Sequence, residues 1–205
     1  MFFFRQIIQK PWVTADGSAP VHGGAEFSLP KAKVGLWVFC AVVTSLFLLF
    51  IASYSMRMSV ADWRPLPEPG LLWLNTAILV FSSMALQWAQ VNAHRELIGK
   101  VKAGLFFGGV LAIAFLAGQL LVWQQLVDLG YFSSTNPANA FFYLFTGIHG
   151  LHLLGGLVAL GRTTSKVRKA DLDMAYVRLS VELCTTYWHF LLAVWLVIFG
   201  LLLFT

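Results

Sequence analysis

Five long apolar runs constrain this chain more than any motif does. They cover residues 34–56, 70–92, 101–127, 138–161 and 179–204, and only two charged side chains, Lys102 and Glu182, fall inside them. Each run holds 23 to 27 residues, whereas a helix rising about 1.5 Å per residue needs about 20 to cross the hydrocarbon core of a bilayer. The sequence therefore predicts an all-α membrane protein: a five-transmembrane-helix bundle spanning residues 34–205, preceded by a non-spanning cytoplasmic or interfacial segment, residues 1–33. Composition agrees, with 59% hydrophobic and 11% charged residues against about 25% charged in a soluble domain.

The positive charges give an orientation. Twelve Lys and Arg lie in the N-terminal segment (Arg5, Lys10, Lys31, Lys33), the second connection (Arg95, Lys100, Lys102) and the fourth (Arg162, Lys166, Arg168, Lys169, Arg178). Two, Arg57 and Arg64, lie on the other side. Cations are retained on the cytoplasmic face, so the N-terminus is expected inside and the C-terminus in the periplasm. The net charge of +5 does not build a nucleic-acid surface, because the cations are dispersed between apolar runs. Cys40 and Cys184 fall inside runs, and no Cys-x-x-Cys spacing occurs, so neither a disulfide nor a cysteine metal site is expected. The opening MFFFRQIIQK is broken at Arg5 and does not read as a cleaved signal peptide; it suits a short interfacial helix or a loose tail.

Several side chains speak about packing. Gly104, Gly108 and Ala112 recur every four residues on the third run, the small-residue stripe that lets helix backbones approach closely in lipid. Gly147, Gly150, Gly155 and Gly156 surround two histidines on the fourth. Trp37, Trp63, Trp73, Trp88 and Trp123 fall near run ends, where an interfacial belt is expected. Trp188 and Trp195 lie seven apart on one stripe of the last run and should pack against protein. No internal repeat marks the inverted halves of a transporter.

The polar residues of the last two runs are the candidate site. TGIHGLHLLGG, residues 146–156, carries His149 and His152 on one helix face, and ELCTTYWHFLLAVWLVIF, residues 182–199, carries Glu182 and His189 on one stripe. Entering from opposite sides, the helices reach His149 after about 16 Å and His189 after about 15 Å, so the two can meet near mid-membrane. Glu182 is expected close to Arg178 and Arg162. Three readings follow. The histidines ligate haem or a metal, which needs facing rings and a wide gap; or Glu182 and the histidines relay protons, although no second acid lies above Glu182; or all are hydrogen-bonded groups that fix helix register and contact a partner or lipid headgroup. On residue types alone the third leads.

TGIHGLHLLGG followed about thirty residues later by YWHFLLAVWLVIF resembles the paired signature of subunit III of haem-copper terminal oxidases, the cytochrome c oxidase subunit III family. The likeness extends to Leu74, Asn75 and Thr76 in the second run, Arg95 in the following turn, Phe115, Leu116, Gln119 and Trp123 in the third, and Glu182 seven residues before His189. It covers residues 34–204 and suits the shorter bacterial form with five helices. Three membrane acids common in the family are replaced here, by Val43, Val122 and Leu192, which puts a proton-handling role through those carboxylates in doubt. The resemblance implies a multi-pass protein of the bacterial inner membrane with no catalytic residue, metal or cofactor of its own. It implies contact with oxidase subunit I, subunit II and possible further subunits, which carry the haem and copper, and phospholipid bound in a cleft. Asn75, Arg95, Gln119, Trp123, His149, His152, Glu182, Trp188, His189 and Trp195 would then be structural, lipid or subunit contacts. Cytochrome c is the expected electron donor; a quinol oxidase subunit III and an accessory protein of nitric oxide reductases are the alternatives within reach of the same signature. A self-contained b-type membrane cytochrome is the alternative of another class.

Overall fold

The structure, a computed structural model, describes residues 31–60, 63–64, 70–168 and 174–204. The interfacial helix or tail expected at the N-terminus lies outside them. Five helices follow one another: α1 (Lys31–Met58), α2 (Leu71–His94), α3 (Ile98–Asp128), α4 (Pro137–Arg168) and α5 (Met174–Leu203). All five are long and apolar enough to cross a membrane. The described residues form an all-helical, five-span bundle.

At the end of the bundle rich in Lys and Arg, α1, α4 and α5 extend beyond the apolar runs. Hydropathy marks only the hydrocarbon slab, while backbone hydrogen bonding carries a helix onward into the polar layer until a cap ends it. The caps are local. Asn136 and Pro137 open α4, with Asn136 Oδ1 accepting from the Ala138 N–H at 3.2 Å and proline occupying a position that needs no N–H. Gly130, at φ +84°, closes α3, and the Tyr131 N–H reaches back to the Leu126 carbonyl at 2.9 Å, a left-handed C-terminal cap. Between α2 and α3 the turn is tight; Glu96 takes φ 60°, which a non-glycine residue adopts at a cost.

Helices α2, α3, α4 and α5 form a closed ring, each packed against two neighbours, and α1 lies outside it against α4 and α5 alone. The stripe of small residues explains the closest seam. A Cβ on Gly104 would sit 2.7 Å from Ala89 Cβ and 2.9 Å from the Ala85 carbonyl, and one on Gly108 would meet Leu86 at 2.8 Å. Ala112 is fully buried on the same line. This stripe therefore serves a contact within the chain, between α3 and α2. Gly156 admits Trp188 in the same way, 2.9 Å from where a Cβ would stand. Val43 and Val122, the aliphatic replacements of family acids, are both buried.

Candidate functional site

The interior is built from indoles and hydroxyls. Trp188 and Trp195 are both completely buried, and each indole N–H crosses from α5 to a hydroxyl on α2: Trp188 to Ser82 at 3.0 Å and Trp195 to Thr76 at 2.9 Å. The hydroxyls pass their own protons on, Ser82 to the Gly108 carbonyl of α3 at 2.8 Å and Thr76 to the Leu72 carbonyl at 2.8 Å. Thr185 donates to the Leu86 carbonyl at 3.2 Å. Trp123 of α3 donates to Thr146 of α4 at 3.0 Å. A buried indole N–H without an acceptor is costly in a medium that offers no water, so these pairs fix the register of α5 on α2 and of α4 on α3. Ser82 was not singled out by sequence reasoning, and Thr76 and Thr146 entered only as members of motifs; the signal for all three was a hydroxyl inside an apolar run.

Asn75 bridges α2 and α3. Its Nδ2 donates to the Phe115 carbonyl at 3.2 Å and to Gln119 Oε1 at 3.4 Å, and its carboxamide fills the space over Gly118. Gln119 Nε2 has no hydrogen-bond partner among the described residues. Arg95, in the turn between α2 and α3, is exposed.

The three histidines do not come together. His149 is fully buried at the heart of the ring, its imidazole 5.1 Å from the Trp195 ring and 5.8 Å from that of Phe115, and neither ring nitrogen has a hydrogen-bond partner among the described residues. His152 turns toward α1, with its ring 5.8 Å from Phe47 and 6.3 Å from Phe39 and its Nδ1 bonded to the Ile148 carbonyl at 2.8 Å. His189 faces α2. There its Nε2–H donates to Gln87 Oε1 at 2.8 Å and its Nδ1 accepts from the Ser83 hydroxyl at 2.5 Å. The depth arithmetic placed His149 and His189 at one level, but it ignored azimuth: Trp188 and Trp195 occupy the inward stripe of α5, leaving His189 on its flank. The three imidazoles therefore do not face one another, as a bis-histidine haem needs: His149 packs on Trp195, His152 on Phe47 and His189 against Gln87. Among the described residues no three His, Cys, Asp or Glu side chains are grouped as a metal site would require.

Glu182 also departs from expectation. It pairs with Lys33 of α1 at 2.5 Å, not with Arg178 or Arg162. Arg178 instead reaches Glu96 at 2.6 Å, and its Nε lies 3.4 Å from the Ala93 carbonyl, which ties α5 to the strained α2–α3 turn. The long first turn of α1, absent from a hydropathy reading, brings Lys33 within range of Glu182. Beside this pair, α1, α4 and α5 bound a groove of about 510 Å³ lined by Leu36, Phe39, Ala159, Thr163 and Tyr187 among others, with Lys166 and Tyr176 as its polar lining toward the Lys- and Arg-rich end. The Lys166 ammonium donates to the Tyr176 hydroxyl.

Fold and interior together define a class: a multi-pass helical membrane protein whose buried indoles and hydroxyls join its own helices. The sequence model of the family described as "Cytochrome c oxidase subunit III" matches residues 4–204. A cytochrome c oxidase subunit 3 of Thermostichus vulcanus is 28% identical over 82% of this chain and 85% of its own length. A probable cytochrome c oxidase subunit 3 of Nocardia farcinica is 28% identical over 94% and 97%, and a cytochrome c oxidase subunit 3 of Synechocystis is 30% identical over 80% and 72%. The chain belongs to the cytochrome c oxidase subunit III family.

Proposed function

We propose that this chain is the subunit III of a bacterial haem-copper oxidase that takes electrons from cytochrome c, and that it holds no redox centre of its own. Its task is to pack against subunit I in the inner membrane, with subunit II nearby, and to keep that assembly and its lipid in place during oxygen reduction. The observation that carries this reading is the family match over residues 4–204 on a bundle whose buried indoles are bonded to hydroxyls of its own helices. The separated histidines favour it over a self-contained b-type cytochrome.

Two features fit the supporting role. Glu182 is the single carboxylate in the five apolar runs, and it is held by Lys33; with Val43 and Val122 buried on either side of the interior, no chain of acids leads a proton across this subunit. The groove between α1, α4 and α5 has apolar walls and a cation in its lining, the shape and charge that a phospholipid requires, acyl chain along Leu36 and Phe39 and phosphate toward Lys166.

The test is retrieval from native membranes with an affinity tag on this chain. Haem-bearing and copper-bearing subunits identified by mass spectrometry, together with oxygen uptake supported by reduced cytochrome c, are the expected result. Recovery of the chain alone, or with a quinol-specific oxidase or a nitric oxide reductase, would contradict it.

A further inference from the structure

Most of the outward surface of the bundle is plain hydrocarbon. On α3 it presents Phe106, Phe107, Val110, Ile113, Leu120 and Leu121, and on α1 Val38, Val42, Leu48 and Leu49. Such faces suit acyl chains. The seam between α2 and α5 differs. There Val80, Met84, Trp88, Val91 and Leu192 border a groove of about 430 Å³, and Ser83, Gln87 and His189 open into it. His189 and Gln87 are both exposed. His189 is 15 residues from the start of α5 and 14 from its end, so it lies at mid-depth, and Gln87 is about one helical turn further along α2.

The hydrogen bonds at this seam leave one group unanswered. Ser83 donates to His189, His189 donates to Gln87 Oε1, and the Gln87 amide N–H2 has no partner among the described residues. Acyl chains carry no acceptor, and polar side chains inside a membrane are expected to face protein or water. Lipid would leave that amide unsatisfied; a neighbouring helix carrying an acceptor would not. The groove beside it, walled by aliphatic and aromatic side chains, has room for an apolar side chain from the same neighbour.

We propose that the face formed by α2 and α5 around His189 is the surface on which another subunit of the oxidase docks, through a transmembrane helix that presents a hydrogen-bond acceptor to the Gln87 carboxamide. This rests on the oxidase reading and assigns it a place on the chain. The Ser83–His189–Gln87 relay holds the carboxamide in position, and Met84 and Trp88 form the apolar border of the contact. The hydrocarbon face of α3 is left to lipid.

Photocrosslinking in native membranes tests it. A benzophenone side chain is placed singly at position 84, 91 or 113 of the tagged chain, and the whole complex is irradiated and then purified. At 84 and 91, the two groove positions, a band shifted by the mass of another oxidase subunit is expected; at 113, on α3, none. Two groove positions are used so that one disruptive substitution does not decide the result. Absence of an oxidase-subunit adduct at both 84 and 91, adducts there to lipid or to a second copy of this chain alone, or an equal yield at 113 would overturn the proposal. Failure of the tag to retrieve any haem-bearing partner before irradiation would overturn the oxidase reading itself, and the two failures are told apart on the same gel.

Discussion

Replacing Gly118 with alanine adds one methyl group, and the structure gives it nowhere to go. An added Cβ would lie 2.0 Å from Asn75 Oδ1 and 3.0 Å from Asn75 Cγ. Asn75 is 1% exposed, so its carboxamide cannot swing into solvent; it must leave the Phe115 carbonyl and Gln119, or α2 and α3 must part. Stranding a buried amide costs about 1–3 kcal/mol, and overpacking a tight contact costs about 1–3 kcal/mol more. The better helix propensity of alanine returns about 0.5–1 kcal/mol. A net loss of about 2–4 kcal/mol follows, and at this chain length each kcal/mol shifts a melting temperature by about 2–4 °C. The apparent melting temperature of the detergent-solubilised protein, followed by tryptophan fluorescence at one scan rate, should fall by about 5–15 °C. Asn75→Ala vacates the space, so the double variant Gly118→Ala/Asn75→Ala should melt with Asn75→Ala alone, a coupling that distant sites would not show. A Gly118→Ala protein as stable as the parent, or a double variant whose losses simply add, would refute the reasoning.

Other expectations follow from particular contacts. Gly104→Ala forces a Cβ against the Ala85 carbonyl and Ala89 and should destabilise by about 1–3 kcal/mol, while Gly155→Ala, with nothing within 4 Å, should be neutral or slightly stabilising; melting both variants side by side checks this. Glu182→Gln breaks the bond to Lys33, but the two side chains keep 32% and 29% exposure, so screening limits the loss to about 1 kcal/mol. Faster loss of the chain from its complex with unchanged proton stoichiometry is expected, and a stable, fully assembled variant that no longer pumps would identify Glu182 as a proton carrier. His149→Phe removes an imidazole with no hydrogen-bond partner among the described residues from an aromatic cage and should change stability by no more than about 1 kcal/mol; an intact complex with abolished turnover would assign that ring a chemical role. For topology, Lys100→Cys should react with an impermeant maleimide only after the membrane is opened and Ser134→Cys before; the reverse pattern would invert the orientation.

The span count was legible because twenty or so apolar residues in a row have few other fates, and Trp188 and Trp195 could be placed in the interior because their spacing put two large rings on one stripe. Gly104 and Gly108 announced a close contact, but whether the facing helix belonged to this chain or to a partner depended on Ala85 and Ala89, which carry no signal of their own. Helix azimuth was the main thing hidden. His149, His152 and His189 share a depth range, yet one faces the ring centre, one faces α1 and one faces α2, and residue spacing along two helices does not set their rotation about each other. The partner of Glu182 was missed for a related reason: Lys33 was assigned to a tail, whereas it belongs to the first turn of α1 and approaches from a helix about 150 residues away in sequence. Of the acceptors for the buried indoles, Ser82 carried no signal beyond a hydroxyl in an apolar run and Thr76 stood in a motif without a partner, until the two helices were seen side by side.

The central claim, that this is a supporting subunit without a redox centre, is tested most directly by one comparison of reduced-minus-oxidised absorbance spectra. The chain is expressed alone in a haem-replete host and purified as a folded monomer, and the tagged complex is purified from native membranes at the same chain concentration. The account predicts haem bands in the complex and none from the isolated chain. A stoichiometric haem spectrum from the isolated chain would contradict it.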